Sequence, residues 1–253
     1  MKKPLAFALA GAACVLLAAC SSSNESKKSE ETQAPAASAT PSPTPTPEPA
    51  AAPTPAPEPK KEAPKKAAAA LPEKAPDVFK VNLDTSKGTI AMECHKDWAP
   101  RGVEHFYDLL KVHFYDDSRF FRVLKGFMAQ FGINGNPQTN AVWSNARIVD
   151  DPVKQHNTRG MVTFAKTMMP NSRSTQLFIN YGDNSSLDGQ GFAPICQVTS
   201  GMDVADQLYY GYGEGAPGGQ GPDQQQIQSQ GNAYLEREFP RLDYIKKATI
   251  VLQ

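Results

Sequence analysis

Residues 21–76 constrain this chain more than any other part of it. They include the run "ATPSPTPTPEPAAAPTPAPEPKKEAPKK" at 39–66, and thirteen of the chain's 22 prolines fall between positions 35 and 76. The segment has no aromatic residue, and Leu71 is its only large aliphatic one. Such a composition cannot bury enough apolar surface to offset the entropy of ordering a chain. It is expected to be a disordered tether, partly polyproline II, that reaches on the order of 150 Å at about 3.1 Å per residue. Its lysine pairs at 27–28, 60–61 and 65–66 read as solubilising charge. The hydrophobic core must therefore come from residues 77–253, a length of about 175 residues that suits one domain. All the aromatic residues except Phe7 lie there.

The chain opens "MKKPLAFALAGAACVLLAAC". Lys2 and Lys3 form a short basic region, and residues 5–17 form an apolar run too short to span a bilayer. This is the pattern of a secretory signal peptide, residues 1–19. Leu17-Ala18-Ala19-Cys20 resembles the lipobox of bacterial lipoproteins. That resemblance implies cleavage before Cys20, acylation of its thiol and new amino terminus, and a lipid anchor followed by the tether at 20–76. Each buried methylene of such an anchor contributes about 0.8 kcal/mol. Ser21 follows the cysteine, and no aspartate does, which favours the outer membrane with the protein facing the periplasm.

Within the folded part, "VFKVNLDTSKGTIAMEC" (78–94) alternates apolar and polar residues around a glycine-bearing turn, a hairpin signal. "APRGVEHFYDLLKV" (99–112) places Val103, Phe106, Leu109 and Leu110 at helical spacing, with Pro100 in the first turn. Two short strands broken near Lys125-Gly126 are expected in "FFRVLKGFMAQFG" (120–132). A long polar loop is expected over 132–159, and strands over 160–165, 176–180, 192–198 and 242–252. A helix is expected over 201–209, a flexible loop over 211–223, and a helical turn or two over 232–239. About eight short strands with two main helices indicate a mainly β barrel or sandwich.

Several kinds of chemistry are excluded. The formal net charge is zero, which gives no reason to expect a nucleic-acid partner. His95, His105, His113 and His156 share no metal-ligand spacing with one another or with cysteine, so no metal is expected. There is no nucleophile elbow and no Walker loop, and "GEGAPGGQG" is not followed by a helix-opening Lys-Ser/Thr. Any catalysis must work by shape and hydrogen bonding, without a cofactor. Arg122, in the middle of an apolar stretch, is then the residue that most needs explaining.

Three stretches occur in order: F-x-R-V-x-x-G-F-M-x-Q at 120–130, G-M-V-T-F-A at 160–165 with S-x-Q-L-F-I at 174–179, and L-D-G at 187–189. This ordered set resembles the cyclophilin family of peptidyl-prolyl cis-trans isomerases, over essentially the whole folded domain. The resemblance implies a closed eight-stranded antiparallel barrel capped by two helices, with a peptide groove on one outer face. It implies that Arg122 is the catalytic arginine, and that Phe127, Met128, Phe178 and Leu187 form the pocket for a proline ring. Gln130 would hydrogen-bond the substrate backbone. Ala165 and Lys166 would line the groove mainly through their main chain, and Gln176 would help hold Arg122 or the peptide. Proline-containing polypeptides are the implied clients, and the chain is expected to be monomeric.

Three positions depart from the family's pattern. Phe121 stands where histidine is frequent. Ser186 replaces a tryptophan found in many eukaryotic members, which implies weak cyclosporin sensitivity. Asp188-Gly189-Gln190-Gly191 lacks the pocket histidine that often follows the leucine. Residues 211–240 also exceed the usual connection before the last strand. Cys94 and Cys196 lie in two strands of the implied barrel, where a disulfide and two separate buried thiols both fit. A Cα separation beyond about 7 Å would rule out the bond.

Overall fold

The computed structural model describes Leu71 and residues 73–251. The signal peptide, the Cys20 lipidation site and nearly all of the tether lie outside the described residues. The fold extends further toward the amino terminus than residue 77. Ala75 is buried, its N–H donates to Glu104 Oε1 at 3.3 Å, and its carbonyl accepts from Lys96 Nζ at 3.1 Å.

Eight strands form one antiparallel sheet: β1 (Val78–Thr85), β2 (Gly88–His95), β3 (Arg122–Leu124), β4 (Met128–Phe131), β5 (Met161–Phe164), β6 (Leu177–Asn180), β7 (Pro194–Ser200) and β8 (Ile245–Val251). Their order is β3-β4-β6-β5-β7-β2-β1-β8. The sheet curls, and its ladder ends at β3 and β8. The residues that lead into these two edge strands touch at a single bridge, Arg119–Tyr244, flanked by Phe120 N to Asp243 O and Ile245 N to Ser118 O, each 2.9 Å.

Alternation along the strands produces two faces. Val81, Leu83, Ile90, Met92, Val123, Ala129, Val162 and Ile179 point inward and join one core with Phe106, Phe131 and Phe164. Helix α1 (Pro100–Lys111) carries the expected stripe, and it buries Val103, Phe106, Leu109 and Leu110 against this core. Cys94 faces Cys196 directly across β2 and β7, and the two are joined by a disulfide with a Cα separation of 3.9 Å.

The expected loop at 132–159 contains a helix, α2 (Pro137–Trp143). Asn136 caps it by accepting from Gln138 N and Thr139 N, with Pro137 in the first turn. Only Asn140 of this helix is buried, so it has no apolar stripe for periodicity to detect. The rest of that segment is held by Arg173, which donates to Val149 O at 2.6 Å and to Asp151 Oδ2 at 3.0 Å. Asp151 in turn accepts from the N–H groups of Arg101 and Gly102 at the start of α1.

After β7 come α3 (Met202–Asp206), α4 (Gln224–Gln230) and α5 (Asn232–Glu238). The helices expected over 99–112 and 201–209 are α1 and α3, the second of only five residues. Helix α4 falls in polar sequence, QQQIQSQ, that carries no apolar stripe. Ile227 is its one buried residue, and Asp223 caps it.

The disulfide closes a sequence separation of 102 residues. A constraint on a loop that long removes denatured-state entropy worth several kcal/mol. Reduction, or replacement of both cysteines by alanine, is expected to lower the unfolding free energy by about 2–5 kcal/mol. Urea unfolding of the oxidised and reduced full-length chain measures this, and coincident midpoints would contradict it.

Candidate active site

Arg122 and Gln130 are directly opposed in the β3–β4 register, and Gln130 and Phe178 in the β4–β6 register. The three side chains therefore share the outer face of the sheet. Between β3 and β4 the chain turns at Leu124–Phe127, closed by Phe127 N to Leu124 O at 3.0 Å. Gly126 takes the positive φ of 75° that this tight turn requires. The turn brings Phe127 back beside Arg122, with the guanidinium carbon 5.8 Å from the ring centroid.

A cleft of about 560 Å³ opens on this face. The nine positions singled out in the sequence all line it: Arg122, Phe127, Met128, Gln130, Ala165, Lys166, Gln176, Phe178 and Leu187. Met128 and Phe178 are buried, and Phe127 and Leu187 are half-buried at its rim.

The polar wall is a chain of amides. Arg122 Nη1 donates to Gln130 Oε1 at 3.1 Å, and Gln130 Nε2 donates to Gln176 Oε1 at 2.8 Å. Gln176 thus reaches Arg122 only through Gln130. Its backbone carbonyl accepts from Ala165 N at 2.9 Å, which ties the Ala165 edge of the cleft to β6. Lys166 contributes its side chain as well as its main chain. Its Nζ lies 3.3 Å from Gln190 O and 3.4 Å from Asp150 Oδ2, so it spans the rim.

Leu187 sits on a short 3-10 turn, Ser185–Gln190, that has no buried residue of its own. A network beneath it fixes its position. Asp188 Oδ1 accepts from Asn157 N and Nδ2, and Asn157 Oδ1 accepts from Thr163 Oγ1. Asn184 Nδ2 donates to Asn180 Oδ1 and to Phe127 O, which links the Leu187 turn to the Phe127 turn. Asp188 is held below the usual carboxylate range: burial opposes this, and hydrogen bonds from Asn157 and His156 outweigh it. These buried polar groups are paired, as a rigid floor requires.

Three features of the site were not read from the sequence. A strand is expected from Phe192, but β7 begins only at Pro194. Phe192 instead turns into the cleft, edge-on to Phe178 at 6.0 Å, and supplies a wall near the 188–191 departure. Phe121 explains its own departure: it packs outside the main core with Ile133, Ile227, Tyr234, Leu235 and Leu242. It therefore anchors the 211–240 segment beside β3.

The third feature is Glu214, from the stretch expected as a flexible glycine-rich loop. Its carboxylate accepts from Arg122 Nε at 2.6 Å and from Nη2 at 2.7 Å. The glycines let the loop fold closely around this residue. A Cβ at Gly221 would lie 2.8 Å from the Glu214 carbonyl oxygen, which already accepts from Gly221 N at 2.8 Å. The available signal was that Glu214 is the only charged residue in 211–222. The cleft also runs on between α2 and α4, lined there by Asn140, Ser144, Asn145, Gln224 and Gln228.

Residues 80–231 match the family described as cyclophilin type peptidyl-prolyl cis-trans isomerase. Peptidyl-prolyl cis-trans isomerase B of Escherichia coli is 33% identical over 141 residues, covering 51% of this chain and 82% of that protein. A peptidyl-prolyl cis-trans isomerase of Acinetobacter baylyi is 33% identical over 138 residues, covering 51% and 70%. Among solved structures, a cyclophilin type isomerase of Cryptosporidium parvum superposes with a TM-score of 0.52 at 18% identity. That match covers 70% of this chain and 99% of the other, and shows the shared fold. The chain belongs to the cyclophilin-type peptidyl-prolyl cis-trans isomerase family.

The two hydrogen bonds from Arg122 hold the Glu214 carboxyl below the usual glutamate range, against the opposing effect of burial. A depressed folded-state pKa means the pair is intact above the ordinary glutamate pKa of about 4.3. It is lost as the pH falls through the lower folded-state value. A carbon-13 titration of the Glu214 carboxyl should show a midpoint below that of exposed glutamates, and Arg122→Ala should return it to the ordinary range. Equal midpoints in both proteins would contradict the pairing.

Proposed function

We infer that the chain is a peptidyl-prolyl cis-trans isomerase that acts on X-Pro bonds of unfolded or exported polypeptides. The observation that carries this reading is a guanidinium fixed on the wall of a cleft beside the apolar cluster Phe127, Met128, Phe178, Leu187 and Phe192, in a chain of this family. The peptide bond resists rotation by about 18–20 kcal/mol because of resonance. X-Pro bonds populate both isomers, and their uncatalysed exchange takes tens of seconds or more. Twisting the bond ends the resonance and leaves a lone pair on the proline nitrogen.

A donor that meets this lone pair stabilises the twisted state more than either planar state, which is differential binding of the transition state. Arg122 has a donor poised for this. Among the described residues, Nη1 meets the Met128 thioether at 3.8 Å besides Gln130. Sulfur is a weak acceptor, so the lone pair replaces a poor partner with a better one. Phe127, Met128, Phe178, Leu187 and Phe192 grip the ring while the preceding carbonyl turns. Gln130 is read as presenting its amide to the substrate backbone. No step requires a cofactor.

The finer architecture and location belong to the same reading. The curled sheet is taken to close into a barrel through the Arg119–Tyr244 bridge. The lipobox-like Leu17-Ala18-Ala19-Cys20 and Ser21 support anchoring of the chain by acyl chains at Cys20, in the outer membrane facing the periplasm. A bacterial host fed an alkyne-tagged palmitate should label the full-length chain and not Cys20→Ala. Equal labelling of the two would overturn the anchor.

Arg122→Ala should lower kcat/KM on a proline tetrapeptide by about 10²–10³-fold, the range for loss of one fixed donor, with the near-ultraviolet circular dichroism of the folded chain unchanged. Equal rates would overturn the catalytic role of this arginine. A second reading is a binding module with incidental isomerase activity, and the extension of the cleft between α2 and α4 favours it. In that case Arg122→Ala would suppress aggregation of an unfolded client as well as wild type does.

A further inference from the structure

The isomerase reading gives the 211–240 segment no task, yet this segment delivers a carboxylate to the central arginine. We propose that Glu214 is a positioning residue for the reaction: it locks the Arg122 guanidinium in one plane, with Nη1 turned to the cleft wall. The inference rests on the isomerase reading and adds a residue to it.

The donor count supports it. A guanidinium has five N–H groups in a rigid fork. Glu214 takes one from Nε and one from Nη2, and Gln130 takes one from Nη1. Bidentate contact with a carboxylate fixes the plane of the fork as well as its position. Gln130 alone leaves the fork free to rotate about that single bond. Together the two partners hold all three nitrogens.

Location argues for support rather than obstruction. Arg122 lines the cleft, and Glu214 is not part of its wall among the described residues. The carboxylate holds the Nε–Nη2 edge of the guanidinium and leaves Nη1, the nitrogen beside Gln130 and Met128, to the cleft. It is also the better exposed partner, with its side chain 43% accessible against 21% for Arg122.

The mounting of Glu214 is built to hold still. Gly215 N donates to its Oε1 at 3.0 Å, and its backbone carbonyl is bound by Gly221 N. Just before it, Tyr212 is clasped edge-on between Tyr209 and Phe239, with centroids 5.0 and 4.9 Å away. Asp223 N donates to Tyr234 Oη, which ties the far end of the loop to α5. Tyr234 belongs to the small core that grips Phe121, the residue next to Arg122. Loop and arginine thus share one anchor.

The test is a double-mutant cycle on the full-length chain with a proline tetrapeptide. Glu214→Ala should lower kcat about tenfold with KM changed less than about twofold, as for loss of a hydrogen-bonded ionic partner. In the Arg122→Ala background the same change should have no further effect, because Glu214 acts through that arginine. Glu214→Asp should recover part of the rate. The Arg122 Nε–H resonance should shift and broaden in Glu214→Ala. As a control, Glu236→Ala removes an exposed partner of Arg119 from the same segment and should leave kcat unchanged. An unchanged or raised kcat in Glu214→Ala would overturn the proposal, as would an equal loss in both backgrounds. If Arg122→Ala loses activity while Glu214→Ala keeps it, only this inference fails. An inactive wild type sinks the isomerase reading itself.

Discussion

The site depends on one guanidinium held from two sides. Arg122 is presented by an edge strand of three residues, which is too short to fix a long side chain. Gln130, itself bonded to Gln176, reaches it from the sheet, and Glu214 reaches it from an added loop. A four-torsion side chain immobilised this way has given up its rotamer entropy during folding. It has none left to lose when substrate arrives.

The remainder of the structure can be read as support for that arrangement. The disulfide and the inward faces of the sheet hold β2 and β7 together at the centre of the core. The buried amides Asn157, Asn180 and Asn184 connect the two turns that carry Phe127 and Leu187, so the apolar pocket keeps its width. Phe121 turns away from both the core and the cleft to seat α4 and α5. A position that departs from the family's habit and a segment that exceeds its usual length are therefore two halves of one contact.

The parts legible in the sequence had local signals. Alternation marked β1 and β2, apolar spacing marked α1, and the ordered motifs pointed to the nine cleft residues. The parts that escaped are made by partners distant in sequence. Glu214 lies 92 residues from Arg122, and its being the one charge in 211–222 marks the residue without naming its partner. Helices α2 and α4 have one buried residue each, and they are set by their Asn136 and Asp223 caps rather than by a stripe. Phe192 looked like the start of a strand because it precedes an apolar run. Its turn into the cleft follows from the 3-10 segment before it, whose left-handed end at Gly191 periodicity cannot register.

In the proposed function this cleft turns X-Pro bonds over rather than merely holding them. Two-dimensional exchange NMR on a proline tetrapeptide, with a small fraction of an equivalent of the full-length chain, measures that directly. Exchange peaks between the cis and trans forms, absent without protein, are expected. Shifts of the peptide resonances on binding, with no exchange peaks between the isomers, would contradict it.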